Sequence, residues 1–300
     1  MGLQEVVRAG RRRSRLLVPD RLAAACREVP LRRAWLERLP SAIRSLENRW
    51  GLSVEAPFDS RDGSCAWVAP ARRRDGTRAV LKLGMPHLEG ADELEGLRFW
   101  NGEPTVHLLE ADTGLNAMLL EHCDPGSPLR DLPEPEQDVV VARLLRRLWR
   151  TPAAPHSFRP LSAMTAYWAD QTHAAASRWG DAGLVREGLR LLRELSRPSI
   201  DDVLLATDLH AGTVLRAQRE PWLVIDPKPF VGNRAYDATQ HLLNCRHRML
   251  TAPDATIRRF ADLLEVDEEG IRLWVFARSA AEPRDTWNDD SLTLPRLVVP

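Results

Sequence analysis

The stretch "DPGSP" at 124–128 constrains this chain more than any other, because the hydrophobic pattern changes character across it. Upstream, apolar residues first recur at helical spacing over 20–50, from Leu22 and Cys26 through Trp35, Leu39, Ile43 and Leu46, with a break at Pro30. "GLSVEAPFDSRDGS" then reads as loop. "CAWVAPA" and "RAVLKLG" flank "RRRDGT", whose Asp75-Gly76 pair is a turn signal, so a β-hairpin is predicted there. A helix is predicted over 89–100, and a strand over Ala117–Leu120 that runs into the linker. Downstream, helical faces over 140–148 and 184–195 are followed by two short strands, "TVLRA" and "PWLVIDP". Strands first and helices after exclude the regular alternation of a doubly wound sheet. The prediction is an α+β, two-lobed chain: a tail at 1–19, a β-rich N-lobe at 20–123 with leading helices, and a helical C-lobe at 124–300.

Composition removes several classes of function. No stretch approaches the roughly eighteen apolar residues of a membrane helix, and the basic, broken "AGRRRSRLLVP" lacks the apolar core of a secretory signal. No membrane partner and a cytoplasmic location are therefore expected. Lys+Arg and Asp+Glu stand at 42 each, which leaves no global field to draw nucleic acid. The runs "RRRSR" (11–15) and "RRR" (72–74) are read as solvated surface. Cys26, Cys65, Cys123 and Cys245 form no CxxC pair, which argues for reduced thiols over a zinc ribbon or a disulfide framework. One bias points inward: lysine occurs only at Lys82 and Lys228, in a chain otherwise using arginine. A compact ammonium does what a guanidinium fork cannot, and both positions stand out for that reason.

In the second strand of the hairpin, Val80 and Lys82 share one face while Ala79, Leu81 and Leu83 share the other, so Lys82 needs an anion. Glu93 lies four residues before Leu97 on the following helix, and a core-facing Leu97 draws Glu93 inward with it. Lys82 is its economical partner; solvation of Glu89, Glu93 and Glu95 is the other reading. Further on, "VLLATDLHAGTVL" (203–215) is an apolar run ending in Asp208 and a short loop, a way to present a catalytic base. If "TVLRA" and "PWLVIDP" pair as a hairpin centred between Arg219 and Glu220, Thr213 stands opposite Asp226. Two carboxylates meeting there, with a side-chain oxygen between them, suit a magnesium ion that keeps several waters. Ammonium, glutamate, base and metal carboxylate together are what phosphoryl transfer requires.

"LLATDLHAGTVLRAQREPWLVIDPKPFVGNRAYDATQHLLN" (204–244) resembles the streptomycin 6-kinase branch of the aminoglycoside/hydroxyurea phosphotransferases, which share the protein-kinase-like fold. "IDPKP" followed by "AYDATQHLLN" carries the likeness, which extends to "WVAPARRRDGTRAVLKL", "LRFWNGEPTVHLLEAD" and "MLLEHCDPGSPL". The resemblance implies Lys82 as the phosphate lysine, Glu93 as its partner, Asp208 as catalytic base and Asp226 as the main magnesium ligand, with Thr213 or water beside it. It implies the backbone of Glu121 to Cys123 as adenine-binding hinge and Asp237 as a brace of the catalytic loop. ATP and Mg2+ would be cofactor and metal, and the acceptor a hydroxyl of an aminoglycoside, streptomycin or a close relative. The chain departs from the pattern at Ala206-Thr207, where the family has His and Gly. Thr213 stands for Asn, Asn233-Arg234 for Asp-Pro or Asp-Arg, and "FDSRDGSC" carries the single glycine Gly63.

Several readings stay open. His210 is a metal ligand with Asp208 or a loop-packing residue, and Lys228 is a substrate or loop contact or a solvent-facing side chain. Asp285, Asp289, Asp290 and the face of Trp287 could receive a guanidinium-bearing acceptor. A nucleotide-binding pseudokinase, or a kinase of another small hydroxylated metabolite or of hydroxyurea, are the rival functions. Thr213→Asn is expected to raise activity or tighten magnesium dependence. The oligomeric state is not legible.

Overall fold

The computed structural model describes residues 17–58, 65–288 and 290–300. Gly63 and most of "FDSRDGSC", which the resemblance implies as the phosphate-covering turn, the "RRRSR" run and Asp289 lie outside the described residues. Two helices lead, α1 (Asp20–Cys26) and α2 (Pro30–Trp50); Pro30 begins the second, where its missing N–H costs nothing. Then follow β1 (Leu52–Val54), β2 (Ala66–Arg73), β3 (Arg78–Gly84), α3 (Glu93–Trp100), β4 (Leu108–Asp112) and β5 (Ala117–Glu121). The five strands form one antiparallel sheet in the order β1-β2-β3-β5-β4.

Strand alternation decides the two faces of this sheet. Trp67, Ala69, Leu81 and Leu83 turn to one side and are buried against Leu39, Ile43 and Leu46 of α2. Val80, Lys82, Met118 and Leu120 turn to the other, toward α3 and the second half of the chain. Two expectations are corrected here. β1 forms in a stretch read as loop, because Leu52–Val54 pairs along β2, and the predicted helix at 89 begins only at Glu93. Glu89 instead accepts a hydrogen bond from the Trp168 indole at 3.0 Å.

The second half contains α4 (Glu134–Leu148), α5 (Leu161–Ala174) and α6 (Ala182–Leu195), then β6 (Val203–Leu205), β7 (Val214–Arg216), β8 (Trp222–Val224) and β9 (Phe230–Gly232). It closes with α7 (Arg234–Asn244), α8 (Arg246–Thr251), α9 (Pro253–Leu264), α10 (Glu268–Ala281) and α11 (Thr293–Leu297). α10 runs through the helical core, with Trp274, Val275 and Phe276 buried among Leu189, Tyr236 and Phe260. The two small ladders are β6 with β9 and β7 with β8, so the catalytic-loop region is framed by four short strands, not two.

The halves are fastened at several points. The linker runs beside β7, where Gly126 donates its N–H to the Arg216 carbonyl at 3.0 Å and Arg216 donates to that of Ser127 at 2.8 Å. Gly126 has φ of 75°, a conformation that favours glycine. α3 is held to the second half at both ends. Arg159 donates to Asp92 (2.7 Å) and the Leu88 carbonyl (2.7 Å), and Arg150 to the Phe99 carbonyl (3.0 Å). A third apolar cluster, with Leu97, Met118, Leu120 and Leu223, fills the space between. Among the described residues no helix is long and apolar enough to cross a membrane, and all four cysteines are thiols.

Candidate active site

The Asp208 loop is built on backbone geometry. β6 is wholly buried, and at Ala206 the chain leaves the ladder; Thr207 turns through a left-handed conformation with φ of 46°. Asp237, in the first turn of α7, accepts hydrogen bonds from the N–H groups of Ala206 (3.0 Å) and Thr207 (2.8 Å) and from the Trp149 indole (2.9 Å). The brace expected of Asp237 is thus present. Burial pushes the Asp237 carboxyl up to about 6 against the pull of these donors. The Thr207 hydroxyl donates to the Lys228 carbonyl at 2.5 Å, and Lys228 donates its N–H to the Ala206 carbonyl at 2.8 Å.

Asp208 receives the Gln240 amide on Oδ1 at 2.7 Å. Burial pushes its carboxyl up to about 6, with Lys228 opposing and Asp226 adding to the shift. A carboxyl so placed holds a proton more readily than an exposed one, which suits a base that must accept one. Gln240 is in turn oriented by Arg278, which donates to Gln240 Oε1 (2.7 Å), to Thr239 (2.6 Å) and to Glu282. The Arg278 guanidinium lies over the rings of Tyr236 (4.9 Å) and Trp168 (5.4 Å).

Lys82, on β3, is buried and pairs with Glu93 Oε1 at 2.5 Å and with Asp226 Oδ1. Lys228 also binds Asp226 Oδ1, and stands 3.8 Å from Glu93 Oε2. Both lysines of the chain therefore meet on one carboxylate oxygen. Gly96 lets α3 sit against this segment: a Cβ there would come within 2.8 Å of Pro229 Cγ. Asp226 has φ of 56° and is only partly buried, with 37% of its side chain exposed. Burial works against its ionisation, but Lys82 and Lys228 override it and hold the carboxyl well below the usual range. A hard cation that retains water fits this partly open oxygen donor, with Asp208 close enough to be felt electrostatically.

The β7–β8 register corrects the geometry expected for Thr213. Val214 pairs with Val224, so the hairpin is centred on Arg219 and Thr213 falls opposite Ile225, whose N–H it accepts at 2.9 Å. The apex is pinned because Arg219 reaches Glu121 (2.8 Å) and the carbonyls of Gly102 (2.9 Å) and Thr105 (3.0 Å). The Thr213 hydroxyl is engaged within the loop, at 3.1 Å from the Asp208 carbonyl, the His210 carbonyl and the His210 N–H. His210 Nδ1 accepts the Gly212 N–H at 3.0 Å, the loop-packing role.

At the end of β5, the Glu121 carboxylate accepts from the His107 N–H (2.9 Å) and Arg219, and the Glu121 N–H donates to the His107 carbonyl at 2.9 Å. Cys123 is buried, and burial pushes its thiol up to about 11. Val80, Leu120, Leu215 and Ile225 bring apolar surface from both halves to this point. The acidic set near the C-terminus differs from expectation: Trp287 is 6% exposed, and Arg284 already lies over its ring at 4.9 Å. The Asp285 carbonyl faces Arg178. Sequence reading passed over Gln240 and Arg278. Gln240 follows Asp237 by three residues on α7, and that same-face spacing is the signal that both reach the loop.

Comparison with known proteins identifies the family of the chain. Residues 49–290 match the model of the aminoglycoside/hydroxyurea antibiotic resistance kinase family. The chain is 35% identical over 281 residues to a hydroxyurea phosphotransferase of Kitasatospora aureofaciens, covering 89% of this chain and 78% of that one. It is 36% identical over 256 residues to a streptomycin 6-kinase of Streptomyces griseus, covering 82% of each. In fold it is similar to a choline kinase from Streptococcus pneumoniae, with a TM-score of 0.57, 13% identity, and coverage of 79% and 87%.

Proposed function

The chain belongs to the aminoglycoside/hydroxyurea antibiotic resistance kinase family and is a phosphotransferase with a hydroxyl acceptor, and from that premise we propose that it phosphorylates streptomycin or a close relative with ATP. The observation that carries the proposal is the meeting of the Lys82–Glu93 pair, Asp226 and Asp208 in one cleft. Lys82, fixed by Glu93, would hold the α- and β-phosphates. Magnesium, held by Asp226, would supply charge neutralisation at the β- and γ-phosphoryl oxygens. Asp208, oriented by Gln240, takes the proton of the acceptor hydroxyl as its oxygen bonds to the γ-phosphorus. The bond from that phosphorus to the bridging oxygen breaks, and its electron pair leaves with ADP. The partly buried Val80, Leu215 and Ile225, packed with the buried Leu120, would receive the adenine, beside the backbone of Glu121 to Cys123.

A cationic acceptor is favoured by Glu89, whose carboxylate is felt electrostatically at Asp208. A guanidinium group of a streptomycin-like molecule would find a carboxylate there, and neutral hydroxyurea would not use it. The test is incubation with ATP and magnesium against streptomycin, other aminoglycosides and hydroxyurea, with the products read by mass. Addition of one phosphoryl group to streptomycin is expected. Transfer to hydroxyurea alone would move the acceptor assignment, and ATP binding without transfer to any acceptor would make the chain a pseudokinase.

A further inference from the structure

The two lysines do not have the same surroundings. Lys82 lies on the sheet, between Val68 of β2 and Met118 of β5 in the ladder, and its pairing with Glu93 and Asp226 accounts for it. Lys228 is fixed at the backbone by different means. It stands between Pro227 and Pro229, donates its N–H to Ala206 and gives its carbonyl to Thr207, the two residues that precede Asp208. Its stem is therefore tied to the base's own loop, while only ion pairs hold its tip. The ammonium sits on Asp226 and 3.8 Å from Glu93, and it is the strongest charge acting on Asp208. It thus lies between the carboxylate at the nucleotide end of the cleft and the one at the acceptor end.

Stability gives no reason for this arrangement. Three carboxylates, Glu93, Asp208 and Asp226, gather round two ammoniums, and desolvating such a cluster offsets much of its internal attraction. A polyanionic guest is what turns a buried cationic pair to use. The loop supplies a further reason, since the Thr213 hydroxyl is bound to the carbonyls of Asp208 and His210 rather than turned to the cleft.

We infer that Lys228 is a second phosphate-binding residue, whose ammonium leaves Asp226 to contact the γ-phosphoryl group during transfer and supplies the charge that a second metal ion would otherwise bring. The inference rests on the reaction proposed above and adds a specific contact to it. Proton and phosphoryl balance are unchanged, because Lys228 neutralises charge and exchanges no proton. The choice of lysine follows from its size: a compact, swinging point charge can follow the phosphoryl group from donor to acceptor, and a guanidinium held by its planar fork cannot.

The test compares nucleotides that differ by the γ-phosphate. In Lys228→Met, affinity for a non-hydrolysable ATP analogue, measured by calorimetry with magnesium present, is expected to fall about tenfold, and affinity for ADP to change less than about threefold. Equal losses for both nucleotides, or none for either, would overturn the inference and leave Lys228 a structural ion-pair residue. Independently of any variant, electron paramagnetic resonance of the unaltered protein with Mn2+ and the same analogue is expected to count one bound ion per chain. Two ions per chain would overturn it even if Lys228→Met does not fold. Streptomycin phosphorylation that persists beside either adverse result would leave the proposed reaction standing. Failure of the unaltered protein to bind the analogue would defeat the reaction and the inference together.

Discussion

Two aspartates paired with cations, Asp226 and Asp138, show how differently one residue type can be used within a single chain. Asp138, on α4, is fully enclosed. His241 meets its Oδ1 at 2.9 Å, Arg248 grips both oxygens at 3.0 and 2.9 Å, and Arg259 adds a contact at 3.1 Å. Two guanidinium groups and an imidazole saturate it and tie α4 to α8, α9 and α7. Burial opposes its charge, but His241 and Arg248 bring its carboxyl down to about 2. Asp138, His241 and Cys245 lie close enough together to suggest a metal site. With both Asp138 oxygens already satisfied by cations, the geometry there is that of a brace. Asp226 carries two ammoniums on a single oxygen. The arginine-saturated carboxylate braces helices, whereas the lysine-paired one stays partly exposed.

This contrast can be broken or sharpened experimentally. The largest effect is expected on the functional side: Asp208→Asn should lower kcat by about 10³-fold while ATP affinity persists, as steady-state assays and calorimetry would show. Turnover near that of the unaltered protein would end the role of Asp208 as base. On the structural side, Asp138→Ala strips a common partner from His241 and two arginines. It should cost about 3–5 kcal/mol in chemical denaturation, with kcat per folded molecule retained. A large loss of kcat at unchanged stability would erase the distinction between the two carboxylates.

Acid should separate Asp208 from Asp138 as well. Asp208, raised to about 6, must be ionised to accept a proton, so kcat/KM should fall as pH drops through about 6. Asp237 takes up a proton over the same range, which weakens its hold on the Ala206 and Thr207 N–H groups. Asp138 is depressed, so the stability it contributes is complete above its unfolded value near 4 and is lost only as pH falls through about 2. Between about pH 5 and 4 the protein should be folded by circular dichroism and nearly inactive. Coincident loss of fold and activity would refute this. The smallest effect is expected of Thr213→Asn. The sequence alone suggested a gain in activity; with the hydroxyl committed to the loop, a loss of about 1 kcal/mol in stability and no gain in turnover is expected.

Legibility followed sequence distance. The hairpin around Asp75-Gly76 could be read from turn chemistry and alternation, and alternation put Lys82 on the face away from α2. The inward turn of Glu93 followed from helical spacing with Leu97, and the two are buried together. β1 and β4 were not legible, being short strands that depend on neighbours in the sheet for their pairing. The acidic C-terminal stretch misled because composition shows which residues could stack on Trp287 but not that Arg284 does.

By itself the sequence determined which residue types could do phosphoryl chemistry and on which faces of their elements they stand, since turn preference and periodicity act over a few residues. Tertiary structure alone decided that Lys82 and Lys228 share one oxygen of Asp226, that Gln240 reaches Asp208, and that the pairing of β7 with β8 shifts by one partner from expectation. Those outcomes depend on contacts between residues up to 144 positions apart, such as Lys82 and Asp226. Packing of α3 and the sheet against the second half sets such contacts, and no local pattern encodes them.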